Sequence, residues 1–138
     1  MPTDESRDDD APNILIVDDS AMMRTMIKRA IGLLDDPVGT VFEAANGEEA
    51  MAVLETQEVQ AVFTDINMPV MTGTELLERI NEREEWQQIV RVIISTDGSR
   101  SRRDEAEDLK VKLYVEKPLR PDVLRDVLTE ISPATAPA

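Results

Sequence analysis

Apolar residues fall into two patterns along this chain. Short unbroken runs at 14–17 (ILIV), 61–64 (AVFT), 92–94 (VII) and 111–115 (VKLYV) stop at polar residues: Asp18-Asp19, Asp65, Ser95-Thr96 and Glu116-Lys117-Pro118. A weaker run at 41–45 stops at Asn46-Gly47, a turn signal. Continuous runs of this length suit strands buried on both faces, the habit of parallel sheets. Between them apolar residues recur at helical spacing. Met23, Met26, Ile27, Ala30, Ile31 and Leu34 mark one face of a helix with Ser20 as its N-cap. Ala50, Met51, Val53 and Leu54 mark a shorter helix, and Leu76, Leu77 and Ile80 another after Gly73. Val123, Leu124, Val127, Leu128 and Ile131 repeat the pattern, with Pro121 at a first-turn position. Residues 99–109, charged nearly throughout, complete a set of five helices. Met22, Met23 and Met26 read as core filler.

Strand and helix therefore alternate five times, which implies an α/β domain with helices on both faces of a parallel sheet. For five strands the expectation is a flavodoxin-like, doubly wound sheet of order 2-1-3-4-5. Residues 13–131 form this domain. Residues 1–12 carry Asp4, Glu5, Asp8, Asp9 and Asp10 against Arg7 and read as a disordered acidic arm, and residues 132–138 (SPATAPA) as a disordered tail.

Composition narrows the chemistry. The 138 residues contain no His and no Cys, which removes Ser-His-Asp triads, cysteine nucleophiles, disulfides, Fe–S centres and ordinary zinc sites. Any metal must be held by oxygen, which favours a hard cation. With 15 Lys+Arg against 29 Asp+Glu the net charge is −14, and a pI near 4.3 opposes binding to nucleic acid or anionic lipid. No apolar run approaches the ~20 residues of a membrane span, and no signal-peptide pattern opens the chain. A cytoplasmic location is expected.

In open α/β sheets, ligands bind outside the carboxyl ends of the strands, where the strand order reverses. Asp18 and Asp19 close strand 1, Asp65 strand 3, Ser95 strand 4 and Lys117 strand 5, so they should share one crevice. Three ionised carboxylates together repel. Mg2+, typically held by one or two carboxylates plus water and phosphate oxygens, would relieve this. Lys117 adds a positive charge that makes sense if an anion also arrives. Such components serve phosphoryl transfer, with a carboxylate as nucleophile. Asp65 is the better candidate, since Asp18-Asp19 look like a metal pair.

These residues carry a resemblance. Asp18-Asp19-Ser20, Asp65-Ile66-Asn67-Met68-Pro69 with Gly73, Ser95-Thr96 and Lys117-Pro118 occur in order, with Ser95 following Asp65 by 30 positions and Lys117 following Ser95 by 22. Over residues 13–131 the chain resembles the receiver domains of two-component response regulators, specifically the stand-alone CheY-like kind. The resemblance implies that Asp65 is the phosphoacceptor, taking a phosphoryl group from a phosphohistidine of a sensor histidine kinase or phosphotransfer protein. It implies that Asp19, Asp65 and the backbone carbonyl of Asn67 bind Mg2+, with Asp18 acting partly through water. Ser95 and Lys117 would hold phosphoryl oxygens, Tyr114 would be the aromatic switch coupled to Ser95, and Asn67 and Asp97 would tune hydrolysis of the acyl phosphate. The phosphorylated state would be short-lived, and a downstream protein would be met through the helix 4–strand 5–helix 5 surface. Leu119, the segment 110–112, Glu116 and Thr72 depart from the family pattern, all outside the five site residues.

Two other readings fit part of the same residues. One is a receiver-like interaction module that is never phosphorylated, although the acceptor, the acid pair and the lysine are all present. The other is a Mg2+-dependent phosphatase, whose Asp-x-Asp motif and capping insertion are missing. Arg100, Arg102 and Arg103 read as a solvated helix face, or as a surface for an acidic partner.

Overall fold

The computed structural model describes residues 11–34, 37–117 and 120–131, without the side chains at 121, 130 and 131. The expected arm and tail otherwise lie outside the described residues, as do Pro118 and Leu119. Pro12, inside the stretch read as an arm, is buried, and its carbonyl accepts the Gly39 N–H at 2.8 Å.

The described residues form β1 (Ile14–Val17), α1 (Ala21–Gly32), β2 (Val41–Ala44), α2 (Gly47–Thr56), β3 (Ala61–Thr64) and α3 (Gly73–Asn81). A 3-10 turn (Glu84–Trp86) leads into β4 (Val90–Ser95), α4 (Arg100–Asp108), β5 (Leu113–Glu116) and α5 (Pro121–Ile131). All strands are parallel and ordered β2-β1-β3-β4-β5, the order expected. Successive side chains of a strand point to opposite faces, so the short apolar runs feed two cores. Ile14, Ile16, Ala61, Phe63, Val92 and Ile94 pack with Ile27 and Ile31 of α1 and Leu124, Val127 and Leu128 of α5. Leu15, Val17, Val62 and Ile93 pack against α2, α3 and α4 through Leu54, Leu76, Leu77, Ile80 and Ala106. The central strands β1 and β3 are buried at every position, whereas Glu43 on β2 and Glu116 on β5 are exposed at the sheet's edges.

Polar caps fix where the helices begin. Ser20, Asn46, Thr72 and Ser99 each accept an N–H from the first turn, and Glu75 returns a bond to the Thr72 N–H, completing a capping box. Thr72, a departure from the family pattern, thus has a local role of its own.

Two expectations shift, and one buried residue had gone unmarked. Met22 and Met26 are 75% and 56% exposed, so they do not fill the core. Each helical residue advances the side chain by about 100°, so Met26 lies about 40° beyond the Ala30 edge of the stripe through Met23, Ile27, Ala30 and Ile31, and Met22 about 80° beyond it. The fifth strand, expected at 111–115, begins at Leu113. Before it, Lys110 adopts φ 64°, the Val111 N–H bonds the Ala106 carbonyl and the Lys110 N–H bonds that of Glu107, a Schellman closure of α4. Val111 is engaged in ending the helix and so cannot start the strand. Finally, Trp86 is buried in a turn that the pattern of apolar runs did not mark.

Candidate functional site

The sheet ladders set the site residues at one height. Val17 pairs with Thr64, and the ladder runs one step further: the Asp65 N–H bonds the Val17 carbonyl (3.0 Å), and the Asp18 N–H bonds that of Ala44 (3.1 Å). Asp18 and Asp65 therefore leave adjacent strands side by side. On the other flank the Lys117 N–H bonds the Ser95 carbonyl at 2.8 Å. Strands lie about 4.8 Å apart, so a long lysine side chain is what can reach from the β5 edge towards β3 and β1.

Four of the expected residues come together. Carboxylate oxygens of Asp18, Asp19 and Asp65 all lie within 4.8 Å of one another. The Lys117 ammonium donates to Asp18 Oδ2 at 3.0 Å and to Asp65 Oδ2 at 3.1 Å. The other oxygens of the two acids take backbone donors: Asp18 Oδ1 the Ser20 N–H (2.9 Å) and Asp65 Oδ1 the Ile66 N–H (2.7 Å). Asp18 is buried, Asp65 half-buried and Asp19 exposed, so the cluster opens to solvent on the Asp19 side. Burial disfavours the Lys117 charge, but its bonds to Asp18 and Asp65 outweigh that and hold its pKa above the usual lysine value.

Ser95 shares the edge without joining the acids. It is fully buried, and its hydroxyl accepts the Asp97 N–H at 3.1 Å. The Tyr114 hydroxyl donates to the Asp97 carbonyl and lies against Ser95. Burial raises the Tyr114 pKa, while the Ser95 contact works the other way. The Asp97 carboxylate is held below the usual range by Ser99 and, less strongly, by Arg102. Asn67 is exposed.

The backbone around Asp65 is tightly constrained. Its carbonyl accepts the buried Thr64 hydroxyl at 2.8 Å, and the Gly73 N–H bonds the next carbonyl, of Ile66, at 2.8 Å. A Cβ at Gly73 would collide with the Asp65 carbonyl, so α3 can begin against this loop only with glycine there. Between them Val70 takes φ 70° and the Met71 N–H bonds the Pro69 carbonyl at 2.8 Å, a three-residue turn. A β-branched residue in that region stores about 1–3 kcal/mol of strain. Surrounding contacts hold it: the Met71 carbonyl accepts the Gly47 N–H at 3.1 Å.

Sequence reasoning missed the supports. Arg24 donates to the Asp18 carbonyl at 2.6 Å and to Glu43 at 3.1 Å. Two of the three arginines of α4 are engaged within the chain, Arg102 with Glu105 (2.9 Å) and Asp97 (3.5 Å) and Arg103 with Glu116 (2.9 Å), while Arg100 is exposed. Arginine and acid at compatible phases on α4 and its flanking segments were the available signal.

An oxygen-only donor set with three acids and one ammonium retains excess negative charge, which suits a hard divalent cation. The residues fit Mg2+, and Asp18, Asp19 and Asp65 are those that could hold it. The arrangement supplies a carboxylate beside positive charge, at a rim open to an incoming group.

Comparison with known proteins identifies the family. Residues 14–129 match the family model described as the response regulator receiver domain. The chain is 33% identical over 121 residues to the chemotaxis protein CheY homolog of Campylobacter jejuni, covering 86% of this chain and 90% of that protein. It is 36% identical over 116 residues to the two-component response regulator ORR3 of Oryza sativa, covering 83% and 86%. The solved structure of the chemotaxis protein CheY4 of Vibrio cholerae superposes with a TM-score of 0.78 at 26% identity, covering 88% of this chain and 98% of that one. Motifs, topology and the geometry of the acid cluster thus converge, and the chain belongs to the CheY-like receiver domains of the response-regulator family.

Proposed function

We propose that this domain is a phosphorylation-dependent switch in which Asp65 accepts a phosphoryl group from a phosphohistidine of a sensor histidine kinase or phosphotransfer protein. The observation that carries the reading is the bridging of Asp18 and Asp65 by the Lys117 ammonium, at 3.0 and 3.1 Å, beside Asp19. An Asp65 carboxylate oxygen attacks phosphorus as the P–N bond to the donor imidazole breaks; the imidazole leaves with the bonding pair and takes a proton. The product is an acyl phosphate. Lys117 pairs with one phosphoryl oxygen, and the Ser95 hydroxyl, on leaving the Asp97 N–H, donates to another. Bound at Asp18, Asp19, Asp65 and the Asn67 carbonyl, Mg2+ would supply neutralisation of the developing charge. Water returns the acceptor to a carboxylate and releases phosphate, with Asn67 and Asp97 tuning that step so that the state is short-lived.

The output is binding. Differential stabilisation of two arrangements of the Ser95, Asp97 and Tyr114 network would shift affinity for a protein met through α4, β5 and α5. The similarity to proteins named for chemotaxis supports a chemotaxis-type role, and that to a two-component regulator is compatible with a phosphorelay. Among the described residues no helix is long and apolar enough to cross a membrane, and we place the switch in the cytoplasm. Intact-mass analysis after incubation with acetyl phosphate tests the chemistry. One phosphoryl adduct should form with Mg2+, fall sharply with chelator and be absent from Asp65→Asn. Failure of wild type to form an adduct, or an equal adduct on Asp65→Asn, would contradict it.

A further inference from the structure

We propose that Arg103 is a positioning residue that, together with Glu116, holds the ring of Tyr114 against the loop between β4 and α4. Tyr114 and Glu116 stand two residues apart on β5, and side chains with that spacing share a face of the sheet. Arg103, in the first turn of α4, meets both. Its guanidinium carbon lies 4.6 Å from the centroid of the Tyr114 ring, within the range of a cation–π contact. One terminal nitrogen donates to Glu116 Oε1 at 2.9 Å, and Nε donates to the Gly98 carbonyl at 3.4 Å. A single planar group therefore touches the aromatic, its strand neighbour and the loop. This division of labour suits arginine, whose flat face stacks while its edge pairs with carboxylate.

The loop side closes the arrangement. The Tyr114 hydroxyl donates to the Asp97 carbonyl, next to Gly98. Any side chain at Gly98 would run into the Glu116 carboxylate, so that glycine leaves the room in which Glu116 meets Arg103. β5 is an edge strand and Tyr114 is only half-buried. The clamp adds to the Asp97 bond in keeping its phenol from turning out to water. An acid on the edge strand, Glu116, and a base on the helix facing it, Arg103, are accounted for together by this geometry.

The consequence for signalling rests on the reading of Asp65 as phosphoacceptor. The Ser95 hydroxyl holds the Asp97 N–H, so withdrawing that hydroxyl disturbs the residue whose carbonyl Tyr114 uses. Arg103 then sets how far the ring follows.

The chain contains one tyrosine and one tryptophan, which makes the test direct. Biosynthetic incorporation of 3-fluorotyrosine gives one fluorine resonance, at Tyr114, in the intact protein. Without any phosphoryl donor, Arg103→Ala should move this resonance towards that of free fluorotyrosine and at least double its H2O/D2O solvent shift. Glu116→Gln should move it the same way by less, and adding it to Arg103→Ala should change little further. Trp86 emission, from a buried side chain on another part of the fold, reports whether the variants remain folded; should Arg103→Ala unfold, Glu116→Gln decides. Resonance and solvent shift unchanged in the folded variants, or full additivity of the two, overturns the proposal. Beryllium fluoride with Mg2+, added to the wild type, separates the two readings: no response there speaks against phosphoryl signalling, while the variant spectra still decide the clamp.

Discussion

Lys117 joins two acids through one ammonium. Its side chain is 11% exposed and bridges Asp18 at 3.0 Å and Asp65 at 3.1 Å. Removing it would leave acids facing one another without that ammonium, and unpairing a buried charge typically costs about 3 kcal/mol or more. Lys117→Met should therefore be destabilised by roughly 3 kcal/mol near neutral pH, measured by urea unfolding. The pH dependence has a definite sign. The folded pKa of Lys117 lies above its ordinary 10.5, so its contribution is complete below the unfolded value and is lost as pH rises through the folded one. The gap between wild type and Lys117→Met should be constant from neutral pH to about pH 10 and narrow above it; a gap that does not narrow would contradict this assignment. The four convergent residues were legible because each closes a strand, and strand ends in an open parallel sheet meet at one edge. The pairings of Arg24, Arg102 and Arg103 were not, because they depend on helix phase and on loop paths between elements. A local pattern carries neither.

At the level of elements, the same contrast separates what the hydrophobic pattern conveyed from what it hid. Four-residue apolar runs marked β1 and β3 to the residue, since central strands are buried on both faces. The helix face through Ile27 and Ile31 was also visible, but Met22 and Met26 were read as core because hydrophobicity alone does not show where the buried stripe of a helix ends. The start of β5 was obscured by a feature with no apolar signature, the closure of α4 around Lys110. There a lysine adopts φ 64°, a conformation that costs an L-residue roughly 1–2 kcal/mol and glycine almost nothing. Glycine also loses more freedom on folding, which offsets part of the gain. Lys110→Gly should consequently stabilise the domain by about 0.5–1 kcal/mol, whereas Lys110→Ala should not. Chemical denaturation of the two variants against wild type distinguishes them, and equal stability of both would argue against the Schellman closure.

Over the whole molecule, two cores on opposite faces of one sheet leave the carboxyl edge as the place where polar groups can gather. The sheet order brings β1 and β3 side by side at its centre, which converts residues 47 positions apart in sequence into neighbours. On the proposed reading, phosphorylation at such a point would add charge beside three acids in a chain of net charge −14, and the modified state would depend on Lys117, Ser95 and a divalent cation. The most direct test of that account is to trap the modification chemically. Wild-type protein is phosphorylated by acetyl phosphate with Mg2+, its acyl phosphate is reduced with borohydride, and the peptides are sequenced by mass spectrometry. Reduction converts a phosphorylated aspartate into homoserine and leaves free carboxylates unchanged. Homoserine at position 65 and nowhere else is the expected result. Homoserine at 18 or 19, or none at any position, would contradict it.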